Sequence, residues 1–325
     1  MRILRTPLNM QHDRFEICLA IAYNRPQFSS CSAWNSTAIT FANYTTNGSS
    51  PVAIFVDWKN TVYASIAALN QVQVWSESST SPTRSLSGNL SQPQGLFVTS
   101  NGDIYVDNGA SNGRIDRWTP IDPMGTFFMS INDTCSSLFL DLSNNMYCSF
   151  SLQHRVIMGS TNITATTMVN VAGNGSSGSG AFMLNTPQGI FVNLNLDLYV
   201  ADCGNNRIQL FPYGQLNGTT VAGNGSVTGL VLNCPWAIVL DADSRLYISD
   251  QNNHRLIRSR SGYFQCLFGC SGSNGSATDQ FNSPRAISFD SYGNIFVVDW
   301  GNQRIQKVLL STNTCGKTVD AEFPK

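Results

Sequence analysis

The chain has 325 residues, 12% of them charged, with a formal net charge of −1. That balance provides no sequence-independent attraction to phosphate backbones or anionic lipid, so nucleic acid is not an expected partner. No apolar run approaches the roughly 18–20 residues of a membrane span, and abundant Gly, Asn, Ser and Thr point to short strands joined by tight turns, an all-β chain.

In chain order, residues 1–30 come first. Ile17–Tyr23 is apolar and follows Arg2, Arg5 and Arg14, but it is too short and interrupted for a signal peptide, so 1–30 reads as a leader or disordered segment. Thr37–Ala42 then has the look of a strand. From residue 51 a unit recurs, anchored at Pro51, Pro93, Cys135, Pro187, Pro235 and Pro284. Twelve residues after each anchor stands an aromatic: Tyr63, Tyr105, Tyr147, Tyr199, Tyr247 and Phe296. Each unit opens with a short apolar run such as Ile54–Val56, Leu96–Val98 or Ile190–Val192, fit for a strand buried on both faces. A turn carrying Asp57, Asp141, Asp241 or Asp290 follows, then a second strand such as Leu198–Asp202, a third opening with Arg207, Arg255 or Arg304, and a fourth such as Thr219–Ala222. Four strands per unit of 42 to 52 residues is the blade of a β-propeller.

Pro187-Gln188-Gly189-Ile190, Tyr199-Val200-Ala201-Asp202, Asn205-Asn206-Arg207-Ile208 and Asn252-Asn253-His254-Arg255-Leu256 resemble the NHL repeat. The resemblance spans about residues 51 to 310, is strongest in the last three units and fades in the first, where Asn70-Gln71-Val72 stands in place of the Asn-x-Arg-Ile signature. It implies a six-bladed propeller of four-stranded antiparallel blades over residues 31–315, with 316–325 as a tail. It implies little about activity, because NHL propellers serve as protein-binding, RNA-binding and lyase domains.

The sixth unit has no room for a fourth strand after Gln306–Leu310, so the segment 37–42 is expected to complete that blade and close the ring. This would set Cys31 and Cys315 outside adjacent strands, where a disulfide could lock the closure. Cys203 with Cys234 and Cys266 with Cys270 are the other disulfide candidates. Cys135 with Cys148 is disfavoured, because the hairpin register sets Cys135 opposite a residue well beyond Cys148. Nine cysteines without a CxxC pair indicate disulfides over a metal site, and ten Asn-x-Ser/Thr acceptors (Asn35, Asn43, Asn47, Asn89, Asn132, Asn162, Asn174, Asn217, Asn224 and Asn274) lean the same way, toward an extracellular or cell-surface setting.

Residues repeating at one offset are expected to serve the blade. Asp202, Asp250 and Asp299 with Arg207, Arg255 and Arg304 are of this kind, as are His154 and His254, nineteen residues after their anchors. With His12 these are the only histidines, and no three-ligand zinc cluster is evident. No nucleophile elbow, phosphate loop or calcium loop is visible. No cofactor is therefore expected, although a calcium ion in the channel is an alternative. What remains is the residue after each anchor (Val52, Gln94, Ser136, Gln188, Trp236 and Arg285), expected around the central opening with Trp300 beside them. Trp236, Arg285, Trp300, Gln94 and Gln188 are the candidate contacts for a protein or glycan partner. The leading expectation is thus a non-catalytic extracellular recognition module. The alternative is a metal-dependent hydrolase or lyase of lactonase or amidating-lyase type with a channel-bound Ca or Zn.

Overall fold

The computed structural model describes residues 23–45, 48–161 and 168–313, in which six four-stranded antiparallel sheets form a ring. Blade one runs outward from Ala53–Val56 through Val62–Ile66 and Gln71–Trp75 to Arg84–Leu86. The innermost strands of blades two to six are Leu96–Val98, Ser137–Leu140, Pro187–Val192, Pro235–Leu240 and Pro284–Phe289. Each packs on the next, and Pro284–Phe289 packs on Ala53–Val56 to close the circle. Second strands such as Val62–Ile66, Leu246–Asp250 and Ile295–Asp299 are buried along their whole length, as lateral contact between blades requires, while outer strands such as Thr126–Ser130 are mostly exposed.

The repeated aromatic has a physical reason. In blade one Asp57 Oδ1 accepts the backbone N–H groups of Lys59 and Thr61, folding the turn between the first two strands, and Tyr63 donates its hydroxyl to Asp57 Oδ2 at 3.1 Å. Blades three and five repeat this with Asp141 and Tyr147 at 3.0 Å and Asp241 and Tyr247 at 3.4 Å. Blade six has Phe296, which has no hydroxyl, and there Lys307 Nζ meets Asp290 Oδ2 at 3.0 Å instead. A buried carboxylate therefore keeps a partner when the ring loses its donor.

The expected closure is present: Ile39–Asn43 pairs antiparallel with Arg304–Val308, in register Ile39 with Lys307 and Asn43 with Arg304. At its bulge Phe41 lies edge-on to Phe296 at 5.1 Å and to Trp75 of blade one at 5.5 Å, so the strand belongs to the inter-blade core. A second ribbon, Ala33–Trp34 with Leu310–Thr312, reinforces it. Arg258, fully buried, stacks 5.0 Å from the Trp34 ring and donates at 2.8 Å to the Ser32 hydroxyl and carbonyl.

Two readings need correction. Residues 23–30, assigned to a leader, instead run across the ring: Tyr23 bridges to Asp57, Asn24 donates to the carbonyls of Asp57 and Phe289, and Arg25 donates to that of Asp241. Because the segment lies outside the repeat, periodicity gave it no weight. Cys135 and Cys148 are joined, with Cα atoms 5.4 Å apart. The hairpin register does pair Ser137 with Ser149, but Cys135 lies before the strand begins and is free to turn back toward Cys148. The structure also joins Cys203 to Cys234 and Cys266 to Cys270. Cys31 is disulfide-bonded, and Cys315 lies outside the described residues.

Candidate functional site

The mouth of the channel is built by the turns that carry the chain from one blade to the next. Gln92, Thr186, Cys234 and Ser283, each directly before an anchor proline, hold φ of 50° to 53°, a left-handed conformation costly for non-glycine residues. Each is fixed by a side chain of the preceding blade: its N–H donates to Asn70 Oδ1, His154 Nδ1, Asn206 Oδ1 or His254 Nδ1, at 2.8 to 3.1 Å. Both described histidines are thereby explained as inter-blade ties, interchangeable with asparagine. The Asp–Arg pairs do similar service. Asp202, Asp250 and Asp299 meet Arg207, Arg255 and Arg304 at 2.7 to 2.8 Å. Their Oδ1 atoms accept the N–H groups of Asn185, Asn233 and Asn282 in the incoming loops.

Held in this way, the six residues that follow the anchors converge. Val52, Gln94, Ser136, Gln188, Trp236 and Arg285 line one cavity of about 330 Å³, together with Asp133, Thr134, Ser151 and Leu152. The carbonyls of Gln94, Gln188 and Arg285 are further tied by the hydroxyls of Ser65, Ser149 and Ser249 at 2.5 to 2.7 Å. Arg285 lies between two indoles, its guanidinium carbon 4.2 Å from the Trp236 ring and 3.7 Å from the Trp300 ring. Burial holds its pKa down to about 10. Among the described residues no hydrogen bond or ion pair engages the guanidinium, and Nε is buried without a partner.

Below the mouth the walls are small: Ala53, Gly95, Ser137, Gly189, Ala237 and Ala286, the second residue after each anchor. Here the innermost strands approach one another closely, since a Cβ on Gly189 would lie 2.6 Å from the Trp236 carbonyl oxygen. The floor is aromatic. Phe55, Phe97, Phe139 and Phe191 stand in an arc with successive centroids 5.0 to 5.2 Å apart, and Tyr23 packs on the last three at 5.4 to 6.4 Å. Burial pushes the Tyr23 hydroxyl up to about 12. The six-residue mouth was legible from the anchor offset. The small layer, at a constant offset two after the anchor, was equally visible in the sequence and was missed, whereas Tyr23 carried no repeat signal at all.

Among the described residues, no three His, Cys, Asp or Glu side chains gather where a metal ion could be held. Asn35, Asn43, Asn89, Asn132, Asn174, Asn217, Asn224 and Asn274 are exposed, while Asn47 and Asn162 lie outside the described residues.

Fold and site together define a six-bladed propeller with an axial funnel, open on the anchor face and plugged on the other. Residues 184–211, in blade four of this six-bladed propeller, match the NHL repeat. The chain is similar to NHL repeat-containing protein 3 of Mus musculus, 25% identical over 144 residues, and of Homo sapiens, 27% identical over 139 residues. Either match covers 38% of this chain and 40% of the relative. An auxiliary nutrient binding protein from Bacteroides ovatus superposes with a TM-score of 0.64 at 15% identity, covering 90% of this chain and 76% of that one. A catalytically inactive virginiamycin B lyase from Staphylococcus aureus, with quinupristin, gives 0.57 at 14% identity, covering 84% and 85%. At these identities the likeness is one of fold.

Proposed function

We propose that this propeller is a non-catalytic recognition module, facing the cell exterior, that takes its ligand into the anchor-face funnel. The observation that carries the reading is Arg285, unpaired among the described residues and braced between Trp236 and Trp300 at the mouth of a 330 Å³ cavity. An unsatisfied cation fixed by aromatic walls is arranged to receive something, because half-buried guanidinium groups otherwise find acceptors within their own protein. That a protein of similar fold is an auxiliary nutrient binding protein supports a binding role. Disulfides and exposed glycosylation acceptors support the exterior setting.

Ligand-detected NMR of the purified chain against a mixed library of sugars, sugar acids, amino acids and short peptides tests the proposal. Wild type should bind a member that is later recovered chemically intact, and Trp236→Ala should lose that binding at an unchanged melting temperature. Turnover of the bound member would replace recognition with catalysis, and no binding by any member would remove the funnel as the site.

A further inference from the structure

Resting on that reading, we infer that the funnel takes a monocarboxylic sugar acid, with the carboxylate on Arg285 and the hydroxyls on the opposite wall. Three features of the mouth lead there. Among the described residues Arg285 is the only cation lining the cavity, and its guanidinium, stacked against the Trp236 and Trp300 indoles, has no hydrogen-bond acceptor of its own. Such a planar fork matches a carboxylate with two parallel N–H···O bonds. Across the opening, blades two to four contribute Gln94, Ser136, Ser151 and Gln188, a set of amides and hydroxyls that both donate and accept.

Asp133 lies on that same wall and decides the number of charges. Its carboxylate is oriented by the side chain of Gln153 and the backbone N–H of Thr134, and it can accept a ligand hydroxyl while repelling a second anion. A polyphosphate or dicarboxylate is therefore disfavoured, and so is a neutral hexose, which would leave Arg285 buried without its counter-charge. The cavity is at the small end of ligand clefts, the size of a single sugar unit. The layer of alanine, glycine and serine beneath it, where neighbouring strands close in on one another, sets the depth that the ligand can reach.

The test is titration of wild type with D-galacturonate and D-glucuronate by tryptophan fluorescence and calorimetry. Galactose, glucose, acetate and acetyl-Gly-Gly serve as controls. A uronate should bind at least about tenfold more tightly than its neutral hexose and than acetate. Arg285→Met should abolish that preference with a loss of roughly 10- to 100-fold, while Arg285→Lys retains part of it. The wild-type preference stands as a readout even if a variant misfolds. Equal binding of uronate and hexose would overturn the sugar-acid assignment and leave the funnel as a recognition site. Tighter binding of acetyl-Gly-Gly would assign the cation to a peptide terminus instead. If none of the six compounds binds, the assignment fails, and the wider library screen alone decides whether the funnel binds anything.

Discussion

Asp107 offers a test of how the blades are held, through the pH dependence of stability. In blades four, five and six the aspartate ending the second strand faces an arginine directly across the strand pair: Asp202 with Arg207, Asp250 with Arg255, Asp299 with Arg304. Blade two has two more residues in the intervening turn, so Asp107 faces Ile115, and Arg114 turns to Asp116 at 3.0 Å. Asp107 is fully buried, with only backbone N–H groups such as those of Cys135 and Gly109 to stabilise its charge. Burial raises its pKa from 3.8 to about 7, outweighing those hydrogen bonds, and Asp133 adds to the rise. Between these two values the folded state holds a proton that the unfolded state has released. The stabilisation is complete below the unfolded-state value and is lost as pH rises through the folded one. At about 1.36 kcal/mol per pH unit, a rise of that size sets the loss on the order of 4 kcal/mol. Asp107→Asn cannot ionise and gives up one of two acceptors, costing about 1 kcal/mol at pH 5. Urea midpoints followed by tryptophan fluorescence should therefore put the variant below wild type at pH 5 and above it at pH 8. Parallel profiles from pH 4.5 to 8.5 would refute a buried, unpaired carboxylate.

Arg304→Met should cost about 3–5 kcal/mol by stranding the charge of Asp299 in the core, and Arg255→Met should cost less because its side chain is more exposed, both read from melting curves. His154→Asn and His254→Asn should stay within about 0.5 kcal/mol of wild type, since Asn70 and Asn206 perform the same task. His254→Val should be markedly destabilising at φ 53°, by the same measurement. Phe41→Ala should lower stability by about 2 kcal/mol and speed proteolysis of the closing strand, because its ring bridges blades six and one. Ultraviolet titration should find Tyr23, Tyr44, Tyr63, Tyr147 and Tyr247, all raised by burial, still protonated at pH 11 in the folded chain and ionised there once urea unfolds it.

The parts of this molecule that repeat were readable and the parts that do not repeat were not. Anchor and aromatic sit at a constant offset because the first two strands of every blade form a hairpin of one length, and in blades one, three and five a Tyr–Asp hydrogen bond ties the ring to the turn of that hairpin. The closing strand was readable for a related reason. A blade short of one strand has an open edge, and Ile39–Asn43 is the fourth-strand pattern displaced to the amino-terminal side. Tyr23, Asn24 and Arg25 escape such reasoning, since they bind backbone carbonyls around the ring and any side chains of suitable reach would serve. The bond between Cys135 and Cys148 escaped for the opposite reason: strand register was extended to a residue that lies outside the strand.

The funnel follows from where the repeats differ, layer by layer. At the floor, blades one to four supply Phe55, Phe97, Phe139 and Phe191, whereas blades five and six supply Val239 and Ser288. At the mouth the bulk changes sides. Blades one to four supply Val52, Gln94, Ser136 and Gln188, and the largest groups are Trp236 of blade five and Arg285 of blade six. A ring carrying its large residues on the same side in both layers would be filled on that side and open through on the other. Offsetting them leaves space above the phenylalanines, facing the indole and guanidinium across the axis, while Tyr23 packs on Phe97, Phe139 and Phe191. Departures from sixfold symmetry, cheap in folding terms because each blade still packs on its neighbours, are therefore what turn a filled channel into a site.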